Sequence, residues 1–170
     1  SAGHTLSGRT LLPNANDFGY GLFTTDPGNG DALLALLPRI KDPLRRWSIW
    51  SMVWEAVREA KFGPDAFLRQ VSHWLPSEQE PLLLAALSER TQIALRRYCT
   101  DAQRDSMAAE TEAVLEAGFT GATRQRDASV RTSFRRAFIN VAQTDASRAR
   151  LHAWIVDSES ADALTSIDLH

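Results

Sequence analysis

The chain has a single cysteine, Cys99, among its 170 residues. One cysteine cannot form a disulfide framework within the chain, and it cannot supply the several thiolates of a structural zinc site. We expect the Cys99 thiol to be buried and unreactive, which is the usual state of a free cysteine in a globular interior.

The sequence also lacks the short motifs of common hydrolytic centres. It contains no His-Glu-x-x-His and no Gly-x-Ser-x-Gly. His73 and His152 lie in predicted helices, but neither has a second histidine three or four residues away. Gly28-Asn29-Gly30 lacks the Lys-Ser/Thr of a phosphate loop. We therefore predict no catalytic residue, no metal ligand and no cofactor site in this chain.

Long apolar runs and a strong net charge are absent as well. No apolar stretch approaches the roughly 20 residues that a membrane span needs. The net charge of −2 gives no overall attraction to nucleic acid or anionic lipid. We expect neither among the partners, and we expect a cytoplasmic location. The apolar content of 44% and the charged content of 24% are typical of a globular chain.

Most of what is present is amphipathic helix. Asp42 followed by Pro43 is typical of an N-cap and a first helical residue, and Ser77 with Glu80 fits a capping box. Three further aspartates are candidate helix starts: Asp101, Asp127 and Asp145. The pattern predicts seven helices, over residues 30–40, 43–60, 64–75, 78–98, 102–117, 127–143 and 145–157.

Short connections place successive helices antiparallel and adjacent. We predict an all-α fold of antiparallel helical hairpins stacked as an α–α superhelix of the armadillo or HEAT kind. The first 25 residues differ, because short runs of Thr, Leu, Phe and Tyr flank a turn-rich segment. The predicted organisation is a short β-type, strand-like stub at 1–25, a helical domain at 26–157, and a polar tail or truncated helix at 158–170.

Tryptophans mark the predicted core of the 43–60 helix. Trp47, Trp50 and Trp54 are spaced i, i+3 and i+7, which places their rings in one stripe along the helix. We expect this stripe to be buried as core, rather than to form an aromatic ligand site.

Arginine is prominent, since Lys41 and Lys61 are the only lysines among 19 basic residues. A guanidinium binds a carboxylate or phosphate through two parallel hydrogen bonds. One interpretation is a solvated face paired with acids of the preceding helix, namely Glu110, Glu112 and Glu116. The other is a site for a peptide carboxylate, a phosphate or a partner protein. Five arginines fall within thirteen residues, of which the first four are the candidates for such contacts: Arg124, Arg126, Arg131, Arg135 and Arg136.

Several segments between residues 8 and 156 have a recognisable pattern. They are Leu12-Pro13-Asn14 with Gly19-Tyr20, Asp42-Pro43-Leu44-Arg45-Arg46 with Trp50 and Trp54-Glu55, Phe67 through Leu75-Pro76-Ser77-Glu78, and Phe134-Arg135-Arg136-Ala137-Phe138. In this order they resemble the start and successive helices of the C-terminal helical domain in the aminopeptidase N family of zinc metallopeptidases. Two features depart from the family pattern: Gly21-Leu22 replaces a frequent basic residue, and the family's domain usually continues beyond His170.

The resemblance implies a parent enzyme that removes N-terminal residues from peptides with zinc-activated water. It implies that this chain is a non-catalytic domain that covers the active-site cleft and limits or guides peptide access. The implied partners are the remaining domains of the parent aminopeptidase and, through it, the peptide substrate; zinc is expected in the parent. The alternative is a free-standing helical-repeat module that binds a protein. A free-standing module should begin with a capped helix, whereas the predicted strand-like stub needs a neighbouring domain, and this favours the first hypothesis.

Overall fold

The computed structural model describes residues 27–120 and 127–156. Within these ranges there is no strand, and the prediction of an all-α fold with seven helices is confirmed. Superhelical stacking stays a prediction, and the segments predicted as stub and tail, 1–25 and 158–170, lie outside the described ranges. The helices are α1 (Pro27–Leu34), α2 (Pro43–Arg58), α3 (Pro64–Trp74), α4 (Pro81–Ile93), α5 (Asp101–Phe119), α6 (Ala128–Val141) and α7 (Asp145–Val156).

Three short segments connect or extend these helices. Leu37–Arg39 and Leu75–Ser77 are 3-10 turns, and Ala94–Tyr98 is a π-helical turn at the end of α4. The chain divides into two compact units, residues 1–63 and residues 64–170. No helix in the described part of the chain is both long and apolar enough to cross a membrane.

The first unit contains α1 packed against α2. Asp42 is the N-cap of α2, as predicted, and its side chain accepts a 3.0 Å hydrogen bond from the amide of Leu44. Trp50 is fully buried and Trp54 is 8% exposed, whereas Trp47 is 38% exposed. The predicted stripe is therefore wrong at Trp47. The buried side chains of α2 begin at Ile49, so Trp47 lies before the covered part of the helix.

The second unit is built around α5 and α6. α5 packs against α3 and α6, and α6 also packs against α4. Near the C-terminal ends of α4 and α6, the side-chain amide of Gln92 donates a 2.6 Å hydrogen bond to the carbonyl of Asn140. The core is rich in leucine and phenylalanine from all four helices, including Phe67, Leu68, Leu83, Leu87, Leu115, Phe134 and Phe138.

α5 and α6 approach each other closely at Gly118. A Cβ atom at this position would lie 2.0 Å from Cδ1 of the buried Phe134 ring. Only a residue without a side chain leaves room for that ring, so Gly118 has a packing role inside a helix where glycine is otherwise unfavourable.

The start of α4 differs from the prediction. Pro81 is the first helical residue, and Glu80 caps the helix by accepting a 3.4 Å hydrogen bond from the amide of Leu82. The hydroxyl of Ser77 donates to the carbonyl of Trp74, so the predicted capping box is wrong. The reason is steric, because a proline disfavours the helical conformation in the residue before it. Glu80 is accordingly extended, and the helix cannot begin at residue 78.

The other three helices, α5, α6 and α7, begin within one residue of the aspartates predicted to start them. Asp127 caps α6 as predicted. Thr100 caps α5 in a capping box with Gln103, and Asp101 is the first residue of that helix. Asp145 is likewise the first residue of α7, and the hydroxyl of Thr144 accepts a 3.2 Å hydrogen bond from the amide of Ser147.

Candidate functional site on helix α6

The arginine candidates are divided between described and undescribed parts of the chain. Arg124 and Arg126 lie outside the described residues. Arg131 and Arg135 both belong to α6, where their separation of four residues places them on one side of the helix. Arg131 is exposed, and Arg135 is half-buried. The structure thus brings together two of the four predicted contact residues.

Core packing and the N-cap fix the orientation of α6. The side that carries Arg131 and Arg135 therefore lies outside the buried stripe. Its buried side chains form a stripe toward the core: Val130, Phe134, Ala137, Phe138 and Val141. At its start, the carboxylate of Asp127 accepts hydrogen bonds from the amide of Ser129 (3.1 Å) and from its hydroxyl (3.2 Å). These bonds, with a smaller contribution from the charge of Arg131, hold the pKa of Asp127 below its usual value. An ionised Asp127 therefore lies beside the exposed Arg131.

Two of the three acids expected to pair with these arginines have other partners in the structure. Glu116 forms an ion pair with Arg150 of α7. Glu112 accepts hydrogen bonds from the segment that follows α6 and from the first turn of α7. Glu110 is exposed. In the described part of the chain, Glu112 and Glu116 thus contact groups other than the arginines of α6, which differs from the prediction.

Glu112 is a buried carboxylate, and its role was missed from the sequence. Only 2% of this residue is exposed. Burial raises the pKa of Glu112, but hydrogen bonds from Thr144, Ser147 and Gln143 outweigh it and bring the pKa below its usual value. A signal was available, since Glu112 lies on the same helical face as the buried Ala108 and Leu115. It therefore belongs to the core face of α5 rather than to its solvent face.

The residues that the structure describes do not group into a metal site. His73 and His152 are both exposed. Within residues 27–120 and 127–156, no three His, Cys, Asp or Glu side chains are grouped so that they could hold a metal ion. Cys99 is buried, as expected, and burial together with the charge of Asp65 raises the pKa of its thiol, against a smaller lowering by Arg104.

Fold and site together define the class of protein as an all-α domain whose described residues include no set of metal ligands, and whose α6 carries basic side chains. The chain matches the family model of the ERAP1-like C-terminal domain over residues 10–169, and it belongs to that family. The resemblance to the C-terminal helical domain of the aminopeptidase N family is thereby confirmed. Neither the comparison with curated proteins nor that with solved structures gave a match.

Proposed function

We propose that this domain covers the active-site cleft of a zinc aminopeptidase and limits or guides the entry of peptides. The observation that carries the proposal is the family match, which spans residues 10–169 and identifies a C-terminal domain of this class of enzyme. The described residues offer no set of zinc ligands. In this proposal the zinc and the groups that hold the substrate amine belong to the other domains of the parent, which are the domain's partners.

The arginines of α6 would give the domain a direct contact with substrate. Every unmodified peptide carries a carboxylate at the end distant from the bond that an aminopeptidase cleaves. Arg131 is exposed and Arg135 lies on the same side of α6, which supports a contact in which both arginines bind one peptide carboxylate. Arg124 and Arg126 precede this helix in the chain and would extend the same basic surface.

The first experiment is an activity assay with a panel of amino-acid anilides. We would compare the 170-residue chain, the protein encoded by its full open reading frame, and that protein with residues 10–169 deleted. We expect no activity from the chain alone and activity from the parent. Deletion should alter the cleavage of long peptides more than that of single amino-acid anilides, because only long peptides reach a covering domain. A parent without aminopeptidase activity would contradict the proposal and favour the protein-interaction module.

The second experiment tests the arginines in the active parent. Arg131→Ala combined with Arg135→Ala should raise KM for peptides with a free C-terminal carboxylate by about tenfold, which corresponds to about 1.4 kcal/mol. KM for the matching C-terminal amides should not change, and kcat should be unaffected because the contact is distant from the cleaved bond.

Arg148→Ala is the matched control. Arg148 is also an exposed helical arginine, and it is paired with Asp145 at the start of α7. It should leave both classes of peptide unaffected. Equal changes in KM for free acids and amides in the double variant would show that the two α6 arginines do not recognise the peptide carboxylate.

A further inference from the structure

Within the second unit, helix α7 contributes few buried side chains to the packing. Of the α7 side chains that the structure describes, Asp145–Ile155, only Ser147 is buried. Ile155 is 69% exposed. By contrast, α6 buries five side chains along its length. Because an isolated helix of this size is marginal in water, α7 depends on a small number of specific contacts for its stability.

Two of these contacts lie along the helix. Trp154 packs against Phe119 and Phe138, with a ring separation of 5.6 Å to each. Arg150 forms an ion pair with Glu116 of α5. The Arg150 side chain is 51% exposed, so solvent screening makes this pair a weak attachment.

The third contact is the buried carboxylate of Glu112, which binds the N-terminal end of α7. Its Oε1 accepts hydrogen bonds from the amides of Gln143 (2.6 Å) and Thr144 (3.0 Å). Its Oε2 accepts from the hydroxyl of Thr144 and from the hydroxyl of Ser147 (2.7 Å). Four donors from one five-residue segment therefore converge on a single side chain of α5.

This arrangement stabilises α7 in two physical ways. The amides at the start of a helix have no partners within it, and the adjoining residues gain one from Glu112. The positive end of the helix dipole also favours an ionised carboxylate at this position. All four donors are neutral, so hydrogen bonds and dipoles stabilise the buried charge; the hydroxyl of Ser147 and the helix dipole belong to α7 itself and are lost when it undocks. Undocking of α7 would leave Glu112 of α5 and the first turn of α7 without an equivalent hydrogen-bond partner.

We propose that α7 is a detachable element, held at its N-terminal end by Glu112, and that it opens and unfolds as a unit while α3–α6 stay folded. Such local opening has a lower free energy than global unfolding. Opening removes Trp154 from Phe119 and Phe138 and so exposes aromatic surface of α5 and α6. The device is distinct from the proposed peptide contact, because the arginines of α6 stay on the folded part.

The unmodified 170-residue chain provides the first test, by native-state hydrogen exchange read out on peptides. We expect the amides of α7 to be at least tenfold less protected than those of α5 and α6. Their exchange should also depend less on added urea, because a local opening exposes less surface than global unfolding. Equal protection of α7, α5 and α6 with one common urea dependence would overturn the proposal.

The second test compares glutamate variants along α5. Glu112→Ala should increase exchange across 145–156 at least tenfold further, while the shallow urea dependence of these amides stays unchanged. Amides that exchange through global unfolding should accelerate by no more than a similar factor, because that opening breaks the same contact, and they should keep their steep urea dependence. Glu110→Ala is the matched control, because Glu110 is exposed on the same helix, and it should leave exchange unchanged. Glu116→Gln removes the ion pair with Arg150 and should change exchange less than twofold, a size typical of exposed ion pairs.

Should Glu112→Ala fail to fold, Ser147→Ala with Thr144→Val removes two of the donors from the other side of the contact. This variant should give the same acceleration in α7, again with a shallow urea dependence. A steep urea dependence shared by α4, α5, α6 and α7 in either variant would show that Glu112 supports the whole unit. An effect of Glu116→Gln as large as that of Glu112→Ala would assign the attachment to the ion pair. Each of these results would overturn the proposal.

Discussion

Burial differs sharply between two tryptophans of α2, and this difference defines a test at the scale of single residues. Trp50 is fully buried, and Trp47 is 38% exposed. Trp50→Ala should lower the free energy of unfolding by about 3–5 kcal/mol, because the cavity adds to the lost transfer energy. Trp47→Ala should cost about 1 kcal/mol or less. Urea unfolding followed by far-UV circular dichroism measures both, and equal costs would contradict the assigned burial.

The charge of Glu112 makes a second prediction at this scale, on the dependence of stability on pH. The folded-state pKa lies below the ordinary value of 4.5, so the carboxylate binds its proton more readily in the unfolded chain. Its contribution is therefore complete above pH 4.5 and is lost as pH falls through the lower folded-state pKa. At pH 7, Glu112→Gln should cost about 1.5–3 kcal/mol, the worth of hydrogen bonds to a charged group.

The comparison of the unmodified chain with Glu112→Gln isolates this residue from other acids. Asp65, bonded to Arg69, and Asp127 also have lowered pKa values, and both variants contain them. Urea unfolding at pH 7, 5 and 3.5 should show a constant difference between the two proteins above pH 5 and a smaller one at pH 3.5. A difference that stays constant down to pH 3.5 would mean that the charge of Glu112 contributes nothing.

At the scale of helices, the sequence predicted which segments are helical better than where each begins. The seven helices follow from apolar periodicity, which is a local signal. Boundaries depend on competition between neighbouring residues. At α4 the effect of Pro81 on Glu80 outweighs the capping box expected from Ser77. Glu78 lies before the helix, is buried, and accepts hydrogen bonds from the amides of Gln79 and Glu80.

The end of α2 shows a boundary where the residue type is not the best one for its conformation. Ala60 has a φ of 55°, and its amide donates to the carbonyl of Val57 while the amide of Lys61 donates to that of Ala56. These are the two hydrogen bonds of a Schellman motif, in which the left-handed position is usually glycine. Alanine in this conformation costs roughly 1 kcal/mol or more.

Ala60→Gly should therefore stabilise the chain by up to about 1 kcal/mol, although glycine ordinarily destabilises a helix. The control is Ala113→Gly, at an exposed position inside α5, which should destabilise by about 0.5–1 kcal/mol. Urea unfolding midpoints of the two variants should move in opposite directions. Destabilisation by both would mean that the left-handed conformation of Ala60 carries no cost in the native chain.

At the scale of the whole molecule, contacts between distant residues limited what the sequence could predict. The all-α class follows from periodicity and helix-start signals, and the family from the resemblance of particular segments to it. The hydrogen bonds of Glu112 join residues 31 to 35 positions apart, and the Gln92–Asn140 bond joins residues 48 apart. A local pattern cannot show which helices meet. Helical spacing was enough to place Glu112 on the core face of α5, but it could not identify Gln143, Thr144 and Ser147 as its partners. The same limit applied to the close approach of Gly118 and Phe134.

The division into residues 1–63 and 64–170 leads to the last prediction. The second unit has its own core, formed by side chains of α3, α4, α5 and α6 that are fully or almost fully buried. Its length of about 107 residues lies in the range of domains that fold alone. We therefore expect residues 64–170, produced separately, to be helical by circular dichroism and to unfold cooperatively in urea.

Cys99 provides the decisive measurement, because it is the only thiol and is buried within this unit. Burial also raises the pKa of the thiol, which lowers the fraction of reactive thiolate at neutral pH. In the separate unit, a thiol reagent should modify Cys99 at least tenfold more slowly in buffer than in urea above the unfolding transition. Immediate modification in buffer, together with a broad unfolding curve, would show that residues 64–170 need residues 1–63 to form their core. Slow modification with a sharp transition would show that residues 64–170 form their core without residues 1–63.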